Sequence, residues 1–140
     1  MPDYIIDTNI VSELVKPYPN QGVIEFLENA KNLRVSVAVF DELAYGLLIA
    51  PEHKKEKLTA FIDEMNIIFS RDALPVDLKI ARIAGGLRGV CKQKGRILHY
   101  ADAIMAATAL STGATLVTRN IKDFAIIDIA LHNPFIAPAP

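Results

Sequence analysis

Four acidic side chains of this 140-residue chain stand at the ends of predicted strands or on mainly apolar helices. Asp7 ends the apolar run Tyr4-Ile5-Ile6, and Glu42 lies on a helix that follows the second predicted strand. Asp102 opens a helix made mostly of Ala, Ile and Met, and Asp123 comes shortly after a later strand. Because the carboxyl ends of parallel strands meet at one edge of a sheet, we expect the four carboxylates to converge.

Clustered carboxylates repel one another and take up protons unless a cation neutralises them. The chain has one cysteine and three scattered histidines, so zinc-ligand spacing is absent and oxygen atoms must hold any ion. Oxygen ligands favour Mg²⁺, with Mn²⁺ as a substitute. Such an ion activates water and stabilises charge on a phosphoryl group. The four acids therefore predict metal-dependent phosphodiester hydrolysis.

Each acid also has an ordinary structural explanation. The segment Asp7-Thr8-Asn9 suits the cap of a short helix that extends to Leu14, because its side chains accept bonds from free helix amides. The helix dipole stabilises an acid at the position of Asp102. Glu42 suits a solvated helix face, and Asp123 suits the start of a helical turn. The prediction of a metal site therefore depends on the four acids together.

Basic residues are candidates for contacts with nucleic-acid phosphates. Arg119 is the strongest of them, since it comes next to Asn120 and close to Asp123. Four others are interpreted mainly as solvated surface: Arg88, Lys92, Lys94 and Arg96. The net charge of −1 predicts no general attraction to nucleic acid, so binding of that kind would need local basic patches.

The composition limits the class of protein. A length of 140 residues suits a single domain, and 51% hydrophobic residues suffice for a packed core. No apolar stretch is long enough for a membrane span, and the first residues lack the basic region of a signal peptide. We therefore expect a cytoplasmic protein that does not interact with membranes.

Short strands and amphipathic helices alternate along the chain, a pattern typical of a parallel sheet covered by helices. Strands are predicted at residues 4–6, 33–37, 67–69, 114–117 and 126–131. Helices are predicted after Asn20, around 40–47, around 58–65, from Pro75 to Cys91, and from Tyr100 to Thr112, with Gly113 as the stop. The pair Gly85-Gly86 predicts close packing or a kink, because glycine destabilises a helix.

Four segments, taken in order, resemble the motifs of the PIN-domain family, and within it the VapC-type toxins of bacterial toxin–antitoxin pairs. They are Tyr4-Ile5-Ile6-Asp7-Thr8-Asn9, Asp41-Glu42-Leu43 with Gly46, the stretch from Asp102 to Ala109, and Thr118-Arg119-Asn120 with Asp123-Phe124. Asn133-Pro134-Phe135 also fits the family. The resemblance covers nearly the whole chain, and the ordered combination is more specific than any single segment.

The resemblance implies a fold, a domain division and an activity. The implied fold is an α/β/α sandwich with a central, mainly parallel sheet of four to five strands. A PIN domain would occupy residues 1–133, followed by a Pro-rich tail at 134–140. Members of the family use Mg²⁺ or Mn²⁺ to cut RNA, so the expected activity is that of a metal-dependent endoribonuclease.

Roles for individual residues follow from the same resemblance. The central acids of the family correspond to Asp7, Glu42 and Asp102. Asp123 is expected to complete the metal ligands, and Thr118 is a supporting hydroxyl. Asn120 stands where some relatives carry Asp, which leaves open whether one or two metal ions bind. Substrate contacts are predicted at Arg119, Thr8 and Asn9.

The expected partners are an RNA substrate, a cognate antitoxin protein and a second copy of the chain in a homodimer. DNA would be reached only indirectly, through the antitoxin. An alternative is a catalytically weak PIN domain that binds RNA or protein. The neutral Asn120, at a position where some relatives carry Asp, is the reason to consider it. A phosphate-accepting receiver domain fits less well, because no adjacent acidic pair follows the first strand.

Overall fold

A computed structural model describes residues 3–137 of the chain. The strands in this range are β1 (Tyr4–Ile6), β2 (Leu33–Arg34), β3 (Thr115–Val117) and β4 (Leu131–His132). The helices are α1 (Thr8–Glu13), α2 (Gln21–Asn29), α3 (Ala38–Ile49), α4 (Glu52–Phe69), α5 (Leu78–Gln93), α6 (Tyr100–Thr112) and α7 (Ile121–Phe124). Among the described residues, no helix combines the length and apolar character that a membrane crossing needs.

The four strands form one parallel sheet in the order β2-β1-β3-β4. β1 and β3 are therefore the two central strands, and their neighbours on both sides pair in parallel. A single parallel bridge also joins Ser36, which follows β2, to Leu74. The predicted α/β fold with a central parallel sheet is confirmed. Asp7 and Thr118 directly follow the two central strands, so they lie at the same edge of the sheet.

α6 is the most buried helix of the described structure. Every residue from Ala103 to Ala109 is buried, and the many alanines let neighbouring elements approach closely. The helix contacts β1 and β3 as well as α3 and α5. Because it is enclosed on several sides, its first turn has a fixed position, and that turn carries Asp102.

Three predicted strands differ from the structure. Residues 67–69 complete α4 instead, because that helix contains no glycine or proline that would end it earlier. The strand predicted at 33–37 is limited to β2 and the bridge at Ser36, since α3 begins at Ala38. The strand predicted at 126–131 is limited to β4, because turns that follow α7 occupy the preceding residues.

α5 begins at Leu78 rather than at Pro75, because the side chain of Asp77 accepts a hydrogen bond from the Ile80 amide and caps the helix there. The helix continues without interruption through the pair Gly85-Gly86. A Cβ atom added at either glycine would meet no atom within 4 Å. The close packing predicted for this pair is therefore absent from the described residues.

The segment after β4 packs against α2. The side chain of Asn20 caps α2 and also bonds the backbone N–H and C=O of Ile136. Gly22 is required nearby, because a Cβ atom at this position would collide with the carbonyl oxygen of Pro134. The end of the predicted Pro-rich tail, residues 138–140, lies outside the described residues. The domain boundary stays a prediction.

Candidate active site

Asp7 is a buried carboxylate at the end of β1, where it also caps α1. Only 4% of the residue is exposed. Its Oδ1 atom accepts a hydrogen bond from the Thr8 amide at 2.7 Å, and its Oδ2 atom accepts one from the Thr118 hydroxyl at 2.8 Å. The Asn9 side chain donates a further bond to Oδ2 at 3.2 Å. Asp7 thus has the capping role that its sequence context predicts and also lies within the polar cluster.

Thr118 connects the end of β3 to this carboxylate. The residue is fully buried, and its hydroxyl donates to Asp7. The same oxygen accepts bonds from the Asn9 side chain at 3.2 Å and from the Asn120 backbone at 3.1 Å. Asn9 in turn accepts a bond from the Arg119 backbone at 3.1 Å. These bonds join the loops after the two central strands and fix the carboxylate between them.

Glu42 joins the cluster from α3. Its Oε1 atom accepts a hydrogen bond from the Thr8 hydroxyl at 2.6 Å, and Thr8 also donates its amide to Asp7. One threonine therefore links two of the predicted acids. Burial raises the pKa of Glu42, the bond from Thr8 lowers it, and the charges of Asp7 and Asp41 raise it further. Asp41 itself is exposed, as the sequence suggests.

Asp102 lies in the first turn of α6 and is half-buried. Burial is the main reason why the pKa of Asp102 rises to about 6, and three negative neighbours add to it: Asp7, Asp123 and Glu42. Burial also raises the pKa of Asp7, and the charge of Asp123 adds to this rise, whereas the three hydrogen bonds that Asp7 accepts lower the pKa. The structure thus brings the four predicted acids close enough for their charges to act on one another.

Asp123 and Asn120 lie at the open side of the cluster. Both are exposed, Asp123 on α7 and Asn120 directly before this helix. With Arg119 they line a surface cavity of about 450 Å³. The Arg119 guanidinium lies 4.7 Å from the centre of the Phe135 ring, which is a cation–π distance. Lys122 and Asn133 also line the cavity, so its lining carries one acid, two amides and two cations.

The donor set is suited to a hard divalent cation. The acids offer only oxygen atoms, and among the described residues no Lys or Arg forms an ion pair with Asp7, Glu42 or Asp102. Burial is the main reason why the pKa values of the three acids are raised, and the negative charges of neighbouring acids add to it. In the described range, no three His, Cys, Asp or Glu side chains form a ready-made coordination shell.

Two further observations concern residues around the acids. His99, which sequence reasoning missed, occupies the position directly before α6, and its charge lowers the pKa of Asp102. Its position before Asp102 was the only signal in the sequence. Thr8 and Asn9 form hydrogen bonds with other members of the cluster and so help to position the acids. Their predicted contacts with a substrate stay a prediction.

Several known proteins are similar to this chain over most of its length. A model of the PIN domain matches residues 4–130. Toxin FitB of Neisseria gonorrhoeae is 30% identical over 94% of this chain and 97% of its own length. Ribonuclease VapC2 of Rickettsia felis is 33% identical over 86% of this chain and 89% of its own. The crystal structure of Rickettsia felis VapBC2 bound to a promoter DNA fragment has a TM-score of 0.77 at 30% identity, covering 93% of this chain and 97% of that one.

Proposed function

The chain belongs to the PIN-domain family, in its branch of VapC-type toxins, and we propose that it is an endoribonuclease that uses Mg²⁺ or Mn²⁺ to hydrolyse RNA phosphodiester bonds. The observation that carries the proposal is the cluster of Asp7, Glu42 and Asp102. These acids have raised pKa values, and no described cation of the chain pairs with them. The relatives named as ribonucleases support the type of reaction.

The chain's own groups have separate tasks in the proposed reaction. Asp7 and Asp102 would hold the principal ion, while Glu42 and Asp123 would complete the pocket and help to activate the attacking water, whose proton one of these two carboxylates would accept. When bound, the ion supplies positive charge that stabilises the phosphoryl group during in-line attack. Thr118 holds Asp7 in place through its 2.8 Å hydrogen bond. This arrangement limits reorganisation during the reaction, because the acids are positioned beforehand.

Other residues around the acids would bind and orient the substrate. Arg119 is exposed beside Asp123, and its guanidinium would contact a phosphate oxygen of the RNA. Asn120 would orient a water or a phosphate oxygen, but a neutral amide compensates no charge. We therefore propose one firmly held ion, with a weaker second position near Asp123.

The proposal includes the biological setting. We propose that the chain acts in the cytoplasm as the toxin of a toxin–antitoxin pair, forms a homodimer, and binds a cognate antitoxin that inhibits it. DNA would be contacted through the antitoxin. Solved structures such as Rickettsia felis VapBC2 on its promoter fragment and a toxin-antitoxin complex from Klebsiella pneumoniae support the partner.

The activity test uses purified chain without antitoxin. A labelled RNA should be cut in the presence of Mg²⁺ or Mn²⁺ but not with excess chelator. Asp7→Asn should lower the rate at least a hundredfold, because the central oxygen ligand loses its charge. Asp128→Asn removes an exposed acid from the turn after α7 and should leave the rate unchanged. Cleavage that survives both the chelator and Asp7→Asn would refute the mechanism.

A catalytically weak PIN domain that only binds RNA or protein is the second candidate. The exposed, neutral Asn120 and the exposed position of Asp123 favour it, because both weaken a second metal position. Isothermal titration of Mn²⁺ separates the candidates. If no ion binds while RNA is still retained, the binding module is the correct function.

A further inference from the structure

A basic groove lies along α5 and the loop that leads to α6. Its volume is about 420 Å³, and it is lined by Gly85, Arg88, Gly89, Lys92, Arg96, Ile97 and Leu98. Arg88, Lys92 and Arg96 are exposed, and the lining contains no acidic residue. Three of the four cations that the sequence analysis interprets mainly as solvated surface therefore line one groove, whereas Lys94 is not part of the lining.

The three cations are not neutralised within the described structure. The ion pairs among residues 3–137 join Lys16 to Glu13 and Lys55 to Glu52, on other helices. The two arginines stay charged at any physiological pH, so the groove remains positive. A concentrated positive charge without partners favours an anionic ligand, even though the chain as a whole has a net charge of −1.

The wall of the groove formed by α5 contains glycines that the fold does not require. At Gly85 and Gly89 an added Cβ atom would meet nothing within 4 Å. Glycine weakens a helix relative to alanine, so the fold gains nothing from it at these positions. Glycine does let a ligand approach the helix backbone closely, and the cations on either side would then reach around that ligand.

The groove and the acid cluster both adjoin the start of α6. The Arg88 guanidinium lies 5.9 Å from the centre of the Tyr100 ring, and Tyr100 begins the helix whose first turn carries Asp102. Tyr100 is 62% exposed and Ile97 is 79% exposed, so an aromatic ring and an apolar side chain border the groove. Positive charge beside an exposed aromatic ring is the combination that binds single-stranded nucleic acid, because bases stack on the ring.

We propose that this groove binds the phosphate backbone of single-stranded RNA and holds the strand next to the acid cluster. The inference rests on the proposed function, since it assigns a substrate-binding surface to that same site. A second copy of the chain is a weaker occupant, because a two-fold interface would place the three cations opposite themselves. An acidic protein segment is the other alternative, and the experiment separates it from RNA.

The test measures binding of a short labelled single-stranded RNA to the full chain by fluorescence anisotropy. A chelator is present, so that no RNA is cut. The double variant Lys92→Gln/Arg96→Gln should raise the Kd about tenfold. It should also reduce the slope of log K against log salt by about 1.4, because each of the two lost phosphate contacts contributes about 0.7 to that slope. The matched control, Lys54→Gln/Lys57→Gln, removes two exposed charges from α4 and should change neither value.

A glycine variant tests the close approach separately. Gly89→Ala should raise the Tm, because alanine strengthens α5. It should also weaken RNA binding severalfold, because Gly89 lines the groove and the added methyl group would occupy open space there. If the glycine were required only for the fold, Gly89→Ala would instead lower the Tm, and the weaker binding would follow from misfolding. Unchanged RNA affinity in Gly89→Ala and in Lys92→Gln/Arg96→Gln would overturn the proposal.

The outcomes distinguish this proposal from the proposed function. If the wild-type chain cuts RNA while the groove variants bind it normally, RNA binding by the groove is refuted and the proposed endoribonuclease activity is supported. If the wild-type chain never cuts RNA but the groove variants lose RNA binding, RNA binding by the groove is supported and the proposed activity is refuted. Variants that keep RNA binding but change the molecular mass in light scattering, or lose an acidic protein partner, would assign the groove to a protein interface instead.

Discussion

Replacement of Asp102 by Asn should stabilise the metal-free protein above about pH 6. Burial and the charges of its neighbours raise the pKa of this carboxyl from 3.8 to about 6. The folded state therefore binds the proton more tightly than the unfolded state does. The resulting stability is present in full below about pH 4 and is lost as the pH rises through 6. An amide side chain cannot ionise, so the Asp102→Asn variant avoids that loss.

The size of the effect follows from the shift in pKa. A rise from 3.8 to about 6 corresponds to about 3 kcal/mol, at roughly 1.4 kcal/mol for each unit. Asp102 is only half-buried, so solvent screening reduces this figure, and we expect about 1 to 2 kcal/mol at pH 8. The difference between the variant and the wild type should disappear near pH 4, where the carboxyl is protonated in both states.

Urea denaturation from pH 4 to pH 8 with a chelator measures this difference. Asp128→Asn, which removes an exposed acid, is the control and should show no gain that grows with pH. Adding Mg²⁺ should stabilise the wild type more than Asp102→Asn, because the ion binds the ionised carboxylate. If the variant is no more stable than the wild type at pH 8, or if its gain does not depend on pH, burial and the neighbouring charges do not raise the pKa of Asp102 as described.

Two further substitutions test the structure around the site. Thr118→Val should lower the free energy of unfolding by about 1 to 3 kcal/mol and raise the pKa of Asp7, because the buried carboxylate loses its 2.8 Å hydrogen bond. Urea denaturation measures the loss of stability. The control, Thr115→Val on the same strand, should show no comparable loss. Gly22→Ala should cost about 1 to 3 kcal/mol by displacing the segment at Pro134. Faster hydrogen exchange there would confirm it, and unchanged exchange would contradict the packing.

The helix that carries Asp102 illustrates why some of the fold could be predicted. α6 runs from Tyr100 to Thr112 as the sequence predicts, and Gly113 ends it with a φ of 68°. Helix caps and stops are local, because they depend on residues within one turn. The strands are harder, since residues 67–69 have the composition of a strand but continue α4. Short apolar runs fit either element until their neighbours are known.

The candidate site shows a similar division. The acids were recognisable as a set, because a carboxylate at the end of a buried strand or on an apolar helix is unusual. The role of Thr8 could not be recognised from the sequence, because its hydrogen bond to Glu42 joins residues that are 34 positions apart. His99 is different, because it stands only three residues before Asp102 and its effect on the pKa of that acid is local.

The sequence alone determined which residues carry the chemistry: the four acids, the order of their motifs and the family to which the chain belongs. The tertiary structure decided how those residues are held and which surfaces surround them. The hydrogen bond from Thr118 to Asp7 spans 111 positions, and its existence depends on β1 and β3 being adjacent in the sheet. Likewise, Arg88, Lys92 and Arg96 line one groove because α5 and the loop after it form its sides. Residue type and spacing specify local interactions, whereas contacts between distant segments follow from the order of the strands and the packing of the helices.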